Sequence, residues 1–521
     1  MCLAIFLKKF ILIIVIIFFI CYNLKRGEKM KIGFSNELYI KEQSDYILKR
    51  VEKFEKLYME FGGKLIGDKH AQRVLPGYDE DIKTVLLETL KDRMEVIITI
   101  HAQDIISNKL NNNTGLTYER EAIRLIERLK EKGIKINSVV INRYKKDENV
   151  DKFKEYMEAR GMKVYLHDKT EGFPNDVDKI LSEDGFGKHP YITTTMPIIV
   201  VTGPGPGSGK MTTCLSQLYH EYKRGVKAGY AKFETFPVWN LPLKHELNLA
   251  YEAATADLSD VNQIDPYHLA SYGEISVNYN RDVQAFPILK KILDRIMGEE
   301  FYKSPTDMGV NRIKSGIIDE EVVKEASRQE IIRRYLKALL VYKMTNQKKE
   351  EASRIKTLME ELNLKVEDRK ALVVARKKKD ELIKKGITNS NVTAIEYDEC
   401  IITGRDGDLM DSAAAAALNL LKHIAKLPDE LHLIDKAILE PIKEVKGIIE
   451  KKESPLLNLE EVLICLATSK MFNPSAKLCI DNLPKIRNLR AHSTAILNVS
   501  DVEMFRKLNI DLTSDYTDTK F

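Results

Sequence analysis

Cysteine is sparse and scattered: Cys2, Cys21, Cys214, Cys400, Cys465 and Cys479 make six, with no CxxC pair and no dense framework. That spread excludes a disulfide-stapled secreted module, argues against a structural zinc site and points to a reducing, cytoplasmic setting. Neither sign of charge is in excess, since 82 Lys and Arg stand against 77 Asp and Glu, for a formal net charge of +5. A surface so balanced gives no reason to expect nucleic acid or an anionic membrane as a partner. A full membrane span is also missing. The apolar run FILIIVIIFFICY at 10–22, after Lys8 and Lys9, is shorter than the ~20 residues a bilayer requires, and no small-residue cleavage site follows it.

The run has a simpler source. Lys25-Arg26-Gly27-Glu28-Lys29 can be written in purine-rich codons, as a ribosome-binding site would be, directly before Met30. AT-rich upstream DNA translates into such a Phe/Ile/Leu/Asn/Tyr string. Residues 1–29 are therefore expected to be a leader created by a misassigned start, and Met30 the natural one. The competing reading is a single-pass membrane anchor through residues 10–24.

What is present is an ordinary globular composition over 521 residues, 44% hydrophobic and 31% charged, a length that suggests roughly three domains. Its most informative stretch is PIIVVTGPGPGSGKMTTCLSQLYHEY at 197–222. The β-branched run Ile198 to Val201 enters a loop with Gly203, Gly205, Gly207 and Gly209. The loop closes on Lys210, and a helix follows with Met211, Cys214, Leu215, Leu218, Tyr219 and Tyr222 at helical spacing. Strand, glycine loop and helix together suit an anion, because N–H groups at a helix N-terminus have no intrahelical acceptor and carry the positive end of the dipole. The loop departs from GxxxxGK[ST] in two places: Pro204 stands where the first glycine belongs, and Met211 where Ser or Thr would hold magnesium. Thr212 and Thr213 come one and two positions late. Because prolines carry no N–H, a phosphate nest has to use Gly205, Gly207, Ser208, Gly209 and Lys210. The alternative is a tight structural turn with a solvated lysine.

Around the loop the pattern alternates. Apolar positions Ile47, Val51, Phe54, Tyr58 and Phe61 predict a helix over 41–61 ended by Gly62-Gly63. Strands are expected at 94–100, 138–142, 163–167 and 198–201, with helices at 118–132 and 150–160. This predicts an α/β fold, a mostly parallel sheet flanked by helices, whose ligands sit at the carboxyl ends of strands. Residues 30–317 are read as that α/β domain, 318–385 as a charged helical segment and 386–521 as a smaller C-terminal α/β domain. In the last, a strand at 392–402 leads through Thr403, Gly404 and Arg405 into a helix containing five consecutive alanines, Ala413 to Ala417. Alanine favours helix and lets neighbouring backbone approach closely.

Several polar groups are candidates for chemistry. Asp257, Asp260, Asp265 and Asp307 lie in amide-rich and acidic loops that suit a hydrated magnesium ion beside phosphates, although each one alone is more often a turn or cap residue. Arg405 offers a second anion clamp or a local ion pair. His492 is the histidine best placed in the sequence for proton transfer at neutral pH. Cys214 is expected to be a small core residue.

GFSNELYIKEQSDYIL from Gly33, the loop and helix just described, AKFETFPVWNLPL, NLAYEAATADL, VNYNRD, SPTDMGVN and RNLRAHSTAIL together resemble the bacterial family catalogued as domain of unknown function 1846. The resemblance runs from about Met30 to near the C-terminus. It implies a cytosolic protein with an N-terminal α/β part, a helical middle and a smaller C-terminal α/β part, and it carries no activity or catalytic residue with it. Members usually begin around Met30.

Three functions follow from the residues. The first is an enzyme holding ATP, another nucleotide or some other phosphorylated small molecule on loop 203–210. Lys210 would neutralise phosphate, Thr212 or Thr213 would reach Mg2+, and Asp257, Asp260, Asp265 or Asp307 would complete its shell in a phosphoryl-transfer reaction. The second is a non-catalytic metabolite-binding or scaffold protein. The third is an enzyme on a sugar phosphate or other anion without nucleotide, through Arg405 and His492. A homo-oligomer is compatible with all three.

Overall fold

The computed structural model describes residues 31–111 and 114–516, so the leader expected at 1–29 lies outside the described residues. Two compact units divide the chain, one formed by Ile32–Glu330 and one that includes Ile331–Phe521.

In the first unit the strands are Lys56–Phe61 (β1), Met94–His101 (β2), Ile136–Asn142 (β3), Lys163–His167 (β4), Ile198–Thr202 (β5) and Ala228–Phe233 (β6). They form one sheet in the order β4-β3-β2-β5-β1-β6, and every neighbouring pair is parallel. Parallel sheets have helices on their faces, so their central strands are buried on both sides and read as unbroken apolar runs. β5 is buried along its whole length, and β2 is buried at every residue except His101. The helix Tyr118–Glu131 presents Ala122, Leu125, Ile126 and Leu129 to the core at 3.6-residue spacing, and Gly133, with φ +71, turns the chain after it.

One predicted element is overturned. The helix expected over 41–61 is Asn36–Val51, and 56–61 is β1. Phe54, Tyr58 and Phe61 fit a helical period, but Leu57, Tyr58 and Met59 are consecutive and fully buried. Consecutive burial suits a strand clamped between two neighbours, and β1 lies between β5 and β6. Its Phe61 stacks on Phe233 of β6 with ring centroids 4.0 Å apart. β6 itself, AGYAKF, has no strong strand signature because Gly229 makes room for the Phe54 ring, which lies 2.4 Å from where a Cβ would stand.

The same unit also carries a short antiparallel ribbon, Asn262–Ile264 (β7) with Val277–Tyr279 (β8). The second unit contains Val392–Tyr397 (β9), Cys400–Arg405 (β10), Arg490–Ser493 (β11) and Asp511–Ser514 (β12). They pair in the order β10-β9-β11-β12. The single strand expected at 392–402 is thus a hairpin, turning at Asp398 with φ +51. The alanine-rich helix Ser412–Ile424 lies so close to β10 that a Cβ on Gly404 would stand 2.0 Å from the Ala416 nitrogen. Among the described residues no helix is long and apolar enough to cross a membrane.

Three histidines pack together in the first unit. His167, at the end of β4, stacks on His189 with centroids 4.3 Å apart. His220 sits 2.7 Å from the His189 carbonyl oxygen through Nε2. Burial holds all three below the ordinary value of 6.5, His167 furthest, and their mutual repulsion adds to it for His167 and His189. A base depressed in the folded state contributes stability above its unfolded pKa, and that stability is lost as pH falls from 6.5 toward the folded value. Thermal melts between about pH 7.5 and about pH 5.5 should therefore show a falling melting temperature. The fall should be smaller in His167→Phe, and equal slopes in the two proteins would remove these histidines as its cause.

Candidate functional site

The strand order fixes where a ligand can enter. β2 leads through Tyr118–Glu131 to β3 on one side, whereas its neighbour β5 leads through Lys210–Lys223 to β6 on the other. Connections that diverge from adjacent parallel strands leave a crevice at their carboxyl ends. The glycine loop 203–210 follows β5 at this point, with His101 closing β2 and Asn142 closing β3.

Close approach shapes the loop. A Cβ on Gly203 would stand 2.3 Å from the Thr99 carbonyl oxygen, one on Gly205 would stand 2.5 Å from the Tyr118 ring, and one on Gly209 would stand 2.5 Å from the Asn142 amide. Gly207 and Gly209 also take φ +75 and +92, in the left-handed region. Hydrogen bonds hold the rest: Thr99 Oγ1 meets Ser208 Oγ at 3.1 Å, and Asn142 Nδ2 donates to the Ser208 carbonyl at 2.9 Å and to Thr213 Oγ1 at 3.2 Å. Thr213 is therefore committed to the scaffold, whereas Thr212 lines the open side. The first backbone bond of the loop helix Lys210–Lys223 is Thr213 N–H to the Gly209 carbonyl. Among the described residues the N–H groups of Gly207, Ser208, Gly209, Lys210, Met211 and Thr212 have no acceptor. Lys210 Nζ donates back to the Gly205 carbonyl at 3.3 Å.

Beside the loop opens a cleft of about 380 Å³, bounded by Gly207, Gly209 and Thr212 and by the residues that end β2, β3 and β4. Its basic side chains are His101, Lys109, Arg143 and Lys169, and its carboxylates are Asp104 and Asp168. Lys109 is paired with Asp104 at 3.0 Å. His101 accepts from Gln103 N–H through Nδ1, and burial followed by the Arg143 charge lowers its pKa. Arg143 and Lys169 have no carboxylate partner among the described residues.

A second charged group lies across the loop. Sheet register sets Glu60 of β1 between Val201 of β5 and Lys232 of β6. Lys232 Nζ bonds Asp282 at 2.7 Å and Glu234 at 3.3 Å, while Tyr230 donates to Glu60 at 2.7 Å. Burial pushes Glu234 up to about 7 against the pull of Lys232, with Asp282 and Glu60 adding to the rise. Cys214, fully buried on the inner face of the loop helix, has its thiol pushed well up by burial and is a core residue.

The other residues considered from the sequence do not gather at the loop cleft. Asp257 is exposed, and Asp260 is buried 3.6 Å from Arg281. Asp265 caps the helix Pro266–Tyr272 and accepts from the Thr306 hydroxyl at 2.7 Å. Asp307 closes the capping box of the short helix Pro305–Met308. Among the described residues no three His, Cys, Asp or Glu side chains are grouped to hold a metal ion. In the second unit, Arg405 is exposed at the end of β10, 3.5 Å from its neighbour's carbonyl. His492 on β11 is fully buried, with Thr513 Oγ1 at 2.9 Å from Nδ1 and Asp515 at 3.3 Å from Nε2. The cleft residues His101, Asn142, Arg143 and Lys169 escaped the motif reading. Their signal was positional, since each stands at or just beyond the end of a predicted strand, and the ends of parallel strands share one edge.

The fold is thus an α/β protein with a glycine loop at the switch point of a parallel sheet, and comparison with known proteins places it. Residues 32–363 match the model described as Domain of unknown function DUF1846, N-terminal, and residues 367–520 match its C-terminal counterpart. The chain belongs to this family of uncharacterised bacterial proteins. A UPF0371 protein of Clostridium tetani (strain Massachusetts / E88) is 53% identical over 490 residues, 93% of this chain and 98% of the relative. UPF0371 proteins of Clostridium botulinum, strains Langeland and Alaska E43, are each 52% identical with the same coverage.

Two outcomes test the site's construction. Gly209→Ala places a Cβ against Asn142 at a left-handed φ, so it should destabilise by about 1–3 kcal/mol in a denaturant melt; an unchanged midpoint would mean that the loop relaxes freely. A carboxyl raised in the folded state contributes stability below its unfolded pKa of 4.5, lost as pH rises through about 7. The melting temperature of Glu234→Gln relative to wild type should therefore climb between about pH 5 and about pH 8. A constant difference would show that Glu234 is ionised throughout.

Proposed function

We propose that this protein binds a phosphorylated small molecule, nucleotides included, on the glycine loop 203–210. The observation that carries the reading is the run of acceptor-free N–H groups from Gly207 to Thr212 at the mouth of a cleft, at the switch point of the sheet. Lys210, resting on its own loop's carbonyl, is free to exchange that weak contact for a phosphate oxygen. Thr212 offers a hydroxyl at the cleft edge, while Thr213 is held by Asn142.

In phosphoryl transfer the loop would hold the phosphate, with Lys210 balancing its charge. ATP with Mg2+ is the first ligand to try. Four free cysteines among the described residues suit work in the cytosol.

A thermal-shift series on the full chain tests the binding, using ATP, other nucleotides and sugar phosphates with and without Mg2+, beside Lys210→Ala. A ligand at a hundred times its dissociation constant should stabilise wild type by about 2.7 kcal/mol, and Lys210→Ala should lose most of that shift. No shift by any phosphorylated compound would overturn the reading.

A further inference from the structure

We propose that the cleft takes an organic diphosphate, one phosphate on the glycine loop and the second between Arg143 and Lys169. The inference rests on the phosphate reading of the loop and extends it to the ligand's class.

Three observations lead there. A single phosphate is already provided for by the loop N–H groups and Lys210. The cleft continues past them to the ends of β3 and β4, where it meets Arg143 and Lys169. These two cations have no carboxylate partner among the described residues, in contrast to Lys109, whose charge Asp104 already matches. Guanidinium and ammonium groups left unmatched at the far side of an anion site suit a second anionic group covalently tied to the first.

Thr170 lines the same cleft and is 7% exposed; its hydroxyl is shut off from solvent and has no hydrogen-bond partner, so it would meet a phosphate oxygen only if its side chain turned toward the cleft. Phe173, also in the lining, gives an apolar surface for the organic part of the ligand.

Isothermal titration calorimetry of the full chain with inorganic phosphate and with inorganic pyrophosphate tests the proposal. Pyrophosphate should bind about tenfold more tightly than phosphate or better, since the second group adds charge-assisted hydrogen bonds. Arg143→Asn removes the cation while tolerating the left-handed backbone at φ +49. This variant and Lys169→Ala should each remove most of the pyrophosphate advantage and leave phosphate affinity within about twofold.

Equal affinity for phosphate and pyrophosphate, or a pyrophosphate advantage that survives in Arg143→Asn and Lys169→Ala together, would overturn the diphosphate assignment and leave the loop as a phosphate site. Failure of both anions to bind wild type would overturn the loop reading and the diphosphate with it.

Discussion

The contact between Asn142 and Gly209 is the constraint on which the candidate site depends. Asn142 ends β3 and is buried, and its amide reaches across to the Ser208 carbonyl and the Thr213 hydroxyl. It stands so near Gly209 that no side chain fits there. One side chain thereby fixes the Ser208 carbonyl, the first turn of the helix and the left-handed backbone at Gly209 between them. With those set, the N–H groups ahead of Thr213 are kept out of the helix ladder and face no acceptor from the protein.

That arrangement is possible because the strands on either side are rigid. β2 and β5 lie side by side in the middle of the sheet, and Thr99 of β2 ties Ser208 to the strand beside it. The opposite end of the loop helix is anchored as firmly, since Glu221 accepts from Lys56 and from Tyr58 of β1, both at 2.7 Å. A loop pinned at both ends to parallel strands is preorganised, and an anion meets donors that need little rearrangement. Charge on the two sides of the loop differs in kind. On the β3–β4 side it is basic and partly unmatched. On the β1–β6 side it is a buried set of carboxylates around Lys232, in which a proton is held near neutral pH.

The second unit shows how differently similar-looking residues are used. Gly404 stands in β10 because the alanine-rich helix leaves no space for a Cβ, a packing role in place of an anion-binding one. His492 has the residue type of a proton-transfer group, but it is buried between Thr513 and Asp515. In the first unit, the acidic residues Asp265 and Asp307 likewise satisfy helix N-termini and hydroxyls. Caps and catalytic ligands draw on the same residue types, so composition and spacing alone do not separate them.

Strand β5, its glycine loop and the helix after it were determined by the sequence itself. Their signals are local: a β-branched run, glycines where the backbone turns left-handed, and apolar residues at helical spacing. The alternation of strands with helices determined the α/β class for the same reason. The tertiary structure decided the rest. Residues 56–61 became β1 because two neighbouring strands enclose them, a burial that outweighs a helical spacing shared with the helix before. Strand order decided that His101, the pair Asn142 and Arg143, and Lys169, which lie in three separate stretches of the chain, meet at one edge beside Gly207 and Gly209. Those meetings depend on which strands lie side by side, and no pattern within any one segment records that.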